Sequence, residues 1–232
     1  VQKRHEFEAF AEVTPTAKIS THTHGWRAKC LQRLVRLDLP VPKTVALPFA
    51  TVRAIAQGHM PDTAALLRLF GEGQLISVRP SSESTDWGGP GTMLNIGMND
   101  TAHARLSEKH GPQAATRLYL QFIQAYATHV ARLDPDVFVA TGKDAAALAT
   151  ALRIYESEMD EPFPQDPARQ LAEVLRSMAR AWEGTSARLL RQAKGAPPEA
   201  GLGLVVQAMA LGVGQGECGT GVIQFVNAVT GR

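Results

Sequence analysis

Apolar residues recur along the chain in two regimes, and the change between them outlines the fold. Up to residue 100 they come in short bursts broken by prolines and glycines. Leu31, Leu34, Val35, Leu37 and Leu39 make the apolar stripe of a helix that opens in Gly25-Trp26-Arg27-Ala28-Lys29-Cys30 and stops at Pro40 and Pro42. Val45-Ala46-Leu47 reads as a strand, and 50–57 and 62–70 read as two further helices. Leu75-Ile76-Ser77-Val78 is a buried strand that delivers Arg79 to its end, and Met93-Leu94-Asn95-Ile96 is a second apolar segment beyond a polar, glycine-rich connection. Residues 1–20 are mixed and polar, a short helix or an arm.

From 101 to 195 the period becomes helical. Leu118, Phe122, Tyr126 and Val130 are spaced by four and share one face, and 146–155 forms another helix. Pro162-Phe163-Pro164-Gln165-Asp166-Pro167 breaks the pattern, with Asp166 placed to cap a new helix and Pro167 at its first position. Leu171, Val174, Leu175, Met178 and Trp182 are the core face of that helix, and a short basic turn of helix follows at 188–194. Leu202 to Met209 is again strand-like, apolar through Val205-Val206 and interrupted by Gln207. The expected fold is α+β: an α/β part at 1–100, a helical subdomain at 101–195, and a return to the first part at 196–232.

Composition narrows the classes. At 232 residues the chain holds one large domain or two small ones. Apolar residues are 44% and charged residues 20%, as in soluble globular proteins. The net charge of +2 argues for neither nucleic acid nor an anionic membrane as partner. No stretch approaches the roughly 18 apolar residues of a membrane span. Cys30 and Cys218 lie far apart and form no C-x-x-C pair, which argues against a zinc site or a disulfide framework and suits a reducing cytoplasm. Neither end of the chain looks like a natural terminus, so a piece of a longer protein is expected.

Candidate chemistry centres on 74–100. Gly88, Gly89 and Gly91, followed by Thr92, form a loop whose backbone N–H groups can approach a ligand closely and cradle an anion. Arg79 supplies a permanent charge with forked donors that suit phosphate oxygens. The alternative is a hairpin with a Gly-Pro turn and a surface arginine. Neither a P-loop nor a G-x-G-x-x-G motif is present. His22 and His24, two residues apart, share a face only on a strand, and no third ligand is near, so no metal site is expected. Gln207 needs partners if buried; an adenine edge or a neighbouring backbone group would serve.

These segments resemble the nucleotide-binding domain of pyruvate phosphate dikinase, an ATP-grasp domain. The likeness rests on Ser77-Val78-Arg79, the Gly-Pro-Gly loop and Thr92-Met93-Leu94-Asn95-Ile96-Gly97-Met98-Asn99-Asp100. It extends to Leu39-Pro40-Val41-Pro42, the run from Pro162 to Pro167, Trp182, Arg191, Gly195, Val206 to Met209, and Gly219-Thr220-Gly221-Val222. The resemblance implies an ATP-grasp-like fold and ATP phosphates held by Arg27, Arg79 and the 88–92 loop. It places Gln207, Ala208 and Met209 at the hinge that holds adenine, with Met209 packed on the ring. It further implies a phosphotransferase that uses ATP and magnesium to phosphorylate a histidine on a separate domain, en route to phosphoenolpyruvate and pyruvate interconversion. That phosphohistidine domain and the domain for phosphoenolpyruvate and pyruvate would belong to a longer chain. A homodimer is left open.

The sequence departs from the family pattern in three ways. Arg27 stands where lysine is expected, which keeps the charge but changes its shape. The run after Gly-Thr-Gly-Val is Ile223-Gln224-Phe225-Val226-Asn227-Ala228, without the family's arginine and proline. The acidic residues that hold magnesium in the family have no counterpart before Gly231, so the chain alone is not expected to be a complete kinase. Competing readings are a non-catalytic nucleotide-binding or regulatory protein on the same scaffold, and a helical interaction module using 101–195.

Overall fold

The computed structural model describes residues 9–138, 142, 144–213, 217–219 and 221. Their elements are β1 (Ala11–Glu12), α1 (Thr21–Arg36), β2 (Thr44–Leu47), α2 (Phe49–Ala56), α3 (Thr63–Arg68), β3 (Ile76–Ser82), β4 (Met93–Ile96), α4 (Asp100–His110), α5 (Pro112–Tyr126), α6 (Ala145–Met159), α7 (Pro167–Glu183), α8 (Thr185–Ala193) and β5 (Leu202–Ala208). The fold is α+β. Five strands form one antiparallel sheet in the order β1-β2-β5-β3-β4, with β5 at its centre although it comes last. That position explains its composition. Leu202 to Gln207 are all buried, because helices cover both faces of the strand.

The two faces differ. Leu204 and Val206 point into a large core that also contains side chains of β2, β3, β4, α2, α4, α5, α6 and α7. Val205 and Ala46 point the other way, into a small cluster with Ala28 of α1, Val13 and Ile19. Ser77, Arg79 and Ser81 stand opposite Gln207, Val205 and Gly203, so period-two alternation puts them on this thinner, more polar face.

The helical block contains no strand among its described residues, and its buried side chains continue the core of the sheet. Asp166 caps α7 as expected: its carboxylate accepts from the N–H groups of Ala168 (2.9 Å) and Arg169 (3.3 Å), with Pro167 at the first position. Phe163 sits at the hub of an aromatic cluster, with edge-on contacts to Tyr119, Phe122, Tyr126 and Tyr155 at centroid distances of 6.0, 5.6, 5.3 and 5.1 Å.

Two elements differ from the sequence expectation. The first helix starts at Thr21, not in the segment opened by Gly25, but its first turn is set off by a break at Gly25 (φ 83°, ψ 172°). Strand β3 continues through Arg79 and Pro80 to Ser82, so Arg79 is inside the strand and not at its end. Proline is tolerated because odd-numbered residues of β3 carry the ladder to β5. The N–H that Pro80 lacks would face β4, whose pairing has already ended at Val78–Met93. Residues 214–216, Thr220 and Val222 of the glycine-rich run and its Gly-Thr-Gly-Val match, and the whole divergent 223–228 segment, lie outside the described residues.

Gln170 of α7 locks the strand–helix layers together. It is fully buried; its Oε1 accepts from Gly97 N–H (2.8 Å), and its Nε2 donates to Met98 O (2.9 Å) and Pro164 O (2.7 Å). Gln170→Leu keeps the volume but strands one donor and two acceptors in the core. The expected loss is about 3 kcal/mol or more, since three groups lose their partner and each unsatisfied buried group costs about 1–3 kcal/mol. Urea denaturation of the variant against wild type measures it.

Candidate functional site

Arg27 and Arg79 are 52 positions apart in sequence, and α1 brings them together on the thin face of the sheet. The seat is made by Gly25 and Ser81. Ser81 Oγ donates to His24 O (2.7 Å) and accepts from Ala28 N–H (3.1 Å), spanning the break in α1. The helix comes so close that a Cβ on Gly25 would lie 1.9 Å from Ser81 O. Two residues beyond Gly25, Arg27 Nε donates to Pro80 O (2.9 Å), a carbonyl left free where β4 has stopped. Arg79 lies beside it. Burial pulls the Arg27 guanidinium below its ordinary pKa, and the charge of Arg79 adds to the effect. An arginine so displaced is still cationic at neutral pH. Both side chains are half-buried, and among the described residues neither forms an ion pair with a carboxylate. Nearby, His22 Nδ1 contacts Glu83 Oε1 at 2.5 Å on the exposed rim. Two adjacent guanidinium groups without a counter-charge suit a polyanion, whose binding would relieve their repulsion.

The glycine loop meets this pair only at its end. The Val78–Met93 pairing sets Thr92 beside Arg79. The glycines themselves lean toward the helices on the other face. A Cβ on Gly89 (φ 152°) would lie 3.5 Å from the Trp182 ring and 3.8 Å from Pro80 Cβ, and one on Gly88 would lie 3.7 Å from Lys194 Nζ. Gly91 lines a separate cleft with His129, Arg132 and Ser177.

Gln207, Ala208 and Met209 sit toward the opposite end of β3, on the far side of Arg79 from the loop. Gln207 is buried, and its Nε2 donates to Thr44 Oγ1 (2.8 Å), so a side chain of the neighbouring strand supplies the partner that the sequence left open. The N–H groups of Ala208 and Met209 already donate to Lys43 O (2.9 Å) and Leu75 O (2.8 Å). The next donor, Ala210 N–H, has no backbone partner among the described residues. The Met209 side chain packs partly against the large core.

His22 and His24 separate as expected for residues two apart on a helical turn: His22 is exposed and His24 buried. Burial lowers the pKa of His24. Among the described residues no group of three or more His, Cys, Asp or Glu is placed to hold a metal ion. No described helix is long and apolar enough to cross a membrane.

Two of the most distinctive segments prove to hold each other. Asn99 Nδ2 donates to Gln165 O (2.8 Å), Asp100 N–H donates to Gln165 Oε1 (2.9 Å), and Gln165 Nε2 donates to Tyr119 Oη (3.0 Å). Asn95 takes a left-handed φ of 61°, a conformation asparagine tolerates better than most residues. The runs 93–100 and 162–167 are therefore structural partners on the helical side of the sheet.

Fold and site together define an α+β protein with a paired-arginine face suited to a polyanion. Comparison with known proteins shows what it is similar to. No family model matches the chain. It is 30% identical to pyruvate, phosphate dikinase of Clostridium symbiosum over 178 residues, covering 68% of this chain and 20% of that protein. It is 30% identical to the Rhizobium meliloti enzyme of the same name over 245 aligned residues, 90% of this chain and 27% of the relative, and 29% identical to pyruvate, phosphate dikinase 2 of Zea mays over 176 residues, 68% and 20%. The resemblance read from separate motifs is thus a similarity that runs through most of the chain, while the chain spans only about a fifth to a quarter of these relatives.

Proposed function

We propose that this chain is the ATP-binding part of a pyruvate phosphate dikinase-like phosphotransferase, with an ATP-grasp-like arrangement, in which a histidine on a separate domain accepts a phosphoryl group on the way between phosphoenolpyruvate and pyruvate. The observation that carries the reading is the juxtaposition of Arg27 and Arg79 without a carboxylate partner among the described residues. It coincides with similarity to pyruvate, phosphate dikinases over most of this chain. The triphosphate would lie along the arginine face, its far end toward Thr92 and the glycine loop. The base would lie toward 207–210, where Ala210 N–H has no backbone partner among the described residues and Gln207 shapes the floor. Phosphoryl transfer depends on positioning and charge neutralisation more than on covalent side-chain chemistry, so these arginines bind and orient; no general base is assigned. The described residues do not fit a magnesium site, and no step is assigned to magnesium here.

Calorimetry of the full chain with ATP tests the reading. A hydrogen bond to a charged group is worth about 1.5–3 kcal/mol, so Arg79→Ala should weaken binding about tenfold or more. Arg79→Lys should recover part of the loss, because it restores charge without the fork. Wild-type binding should also weaken with added salt. An unchanged affinity in Arg79→Ala, with the circular dichroism intact, would make Arg79 a structural residue.

The segment Ile223 to Ala228 favours a second reading, a nucleotide-binding or regulatory protein that has lost catalysis, because it lacks the family's arginine and proline. Labelled ATP, magnesium and a separately made phosphohistidine domain distinguish the two. Transfer to histidine supports the first reading, and nucleotide binding without transfer supports the second.

A further inference from the structure

We propose that the cleft between α8 and the glycine-rich loop is a second ligand site, on the opposite face of β3 from Arg27 and Arg79, and that it takes a small planar anion with an aromatic body. The cleft measures about 280 Å³, and its walls are Trp87, Trp182, Leu190, Arg191, Lys194 and the 88–90 loop. Ligand pockets usually begin near about 300 Å³, so the occupant is small. The apolar part of the wall is the half-buried indole of Trp87 with Pro90, Ala181, Ala187 and Leu190, a surface that receives a flat ring, while Trp182 is buried beneath Arg191 and forms the floor.

The polar part is Arg191, and its surroundings orient it. Arg191 is only 5% exposed. Its guanidinium lies 3.6 Å over the Trp182 ring, which holds it flat by cation–π attraction. Nη1 donates to Trp182 O (2.7 Å), and Trp182 is itself anchored by donating from Nε1 to Ala200 O (3.0 Å). Nε and Nη2, the remaining side-on edge, have no partner among the described residues. That edge matches the two oxygens of one carboxylate. Lys194 adds a second cation at the mouth, its Nζ 3.7 Å from where a Gly88 Cβ would sit. No carboxylate pairs with either cation among the described residues. Glu183 and Arg188 act on Arg191 only through space and in opposite senses. A buried arginine with an unused fork, held by stacking in an aromatic cleft, is more than an internal fold contact requires.

Two of the chain's three tryptophans line the cleft; the third, Trp26, is on α1 and 41% exposed. The full chain carrying Trp26→Phe therefore reports occupancy by its own fluorescence. Titration with 2-naphthoate should quench it saturably, and the neutral isostere 2-naphthamide should bind at least tenfold more weakly. Leu190→Asp changes a side chain that is 65% exposed, so the fold is kept, while placing a negative charge at the cleft. It should weaken naphthoate at least tenfold, and Arg191→Met should abolish the preference for the acid over the amide. Linear, non-saturating quenching, equal affinity for acid and amide, or naphthoate binding unaffected by Leu190→Asp would each overturn the proposal. ATP binding through Arg79 is measured separately, so failure of one site leaves the other standing.

Discussion

Gly25→Ala should lower stability by roughly 4 kcal/mol, at the upper end of what single substitutions do. Two penalties add. The backbone at Gly25 has φ 83° and ψ 172°, a region essentially confined to glycine that costs an L side chain about 1–3 kcal/mol. The new methyl would also meet backbone, at 1.9 Å from Ser81 O and 2.3 Å from Ser81 C, and neither atom can swing aside as a flexible side chain does. Helix α1 would have to lift off β3, breaking the Ser81 bridge to His24 and Ala28 and the Arg27 bond to Pro80. Gly58→Ala is the control. Gly58 has φ 101°, and nothing lies within 4 Å of its Cβ position, so only the conformational penalty applies. Urea midpoints of the two variants should differ clearly; equal, small losses would mean that α1 is not seated on β3 in this way. A folded Gly25→Ala protein should also bind ATP more weakly, because the Arg27–Arg79 pairing depends on that seat.

Phe163→Ala should cost about 3–5 kcal/mol, as large-to-small changes at buried aromatics do. Its ring makes edge-on contacts with four others, each worth about 0.5–1.5 kcal/mol beyond area burial. The cavity would open between α5, α6 and α7, whose tyrosines cannot easily tilt to fill it. Tyr119 is held by Asp100 (3.0 Å) and Gln165, and Tyr126 by Glu173. Phe163→Leu keeps most of the volume and should lose about half as much. Thermal unfolding followed in the aromatic circular dichroism separates them. A Phe163→Ala protein as stable as the leucine variant would show that the cluster repacks, and that the run 162–167 is not its keystone.

The elements of the helical block were legible because each buries one face and keeps its own period. The stripe Leu171, Val174, Leu175, Met178 and Trp182 is buried in full, and the Asp166-Pro167 start carried its own cap. Strand β5 was legible because a strand covered on both faces has no polar side to interrupt it, apart from Gln207. The extent of β3 was misread at Pro80, since proline in a strand depends on where the neighbour ends. That is a property of β4's pairing and not of local sequence.

What the sequence by itself determined is the α+β content, the helical character of 101–195, the candidate cations and the likeness to pyruvate phosphate dikinases. What only the tertiary structure decided is which candidates meet. Arg27 joins Arg79 because Gly25 has no side chain where the break in α1 lies against the Ser81 backbone. The glycine loop turns instead toward α7 and α8, because Pro80 and Arg79 alternate across the strand and the loop packs on the proline's side. Gln207 finds Thr44, which its own segment never names. Alternation, capping and periodicity are local and can be read along the chain. The contact that fixes a site joins residues 50 to 160 positions apart, and its outcome depends on how the layers pack.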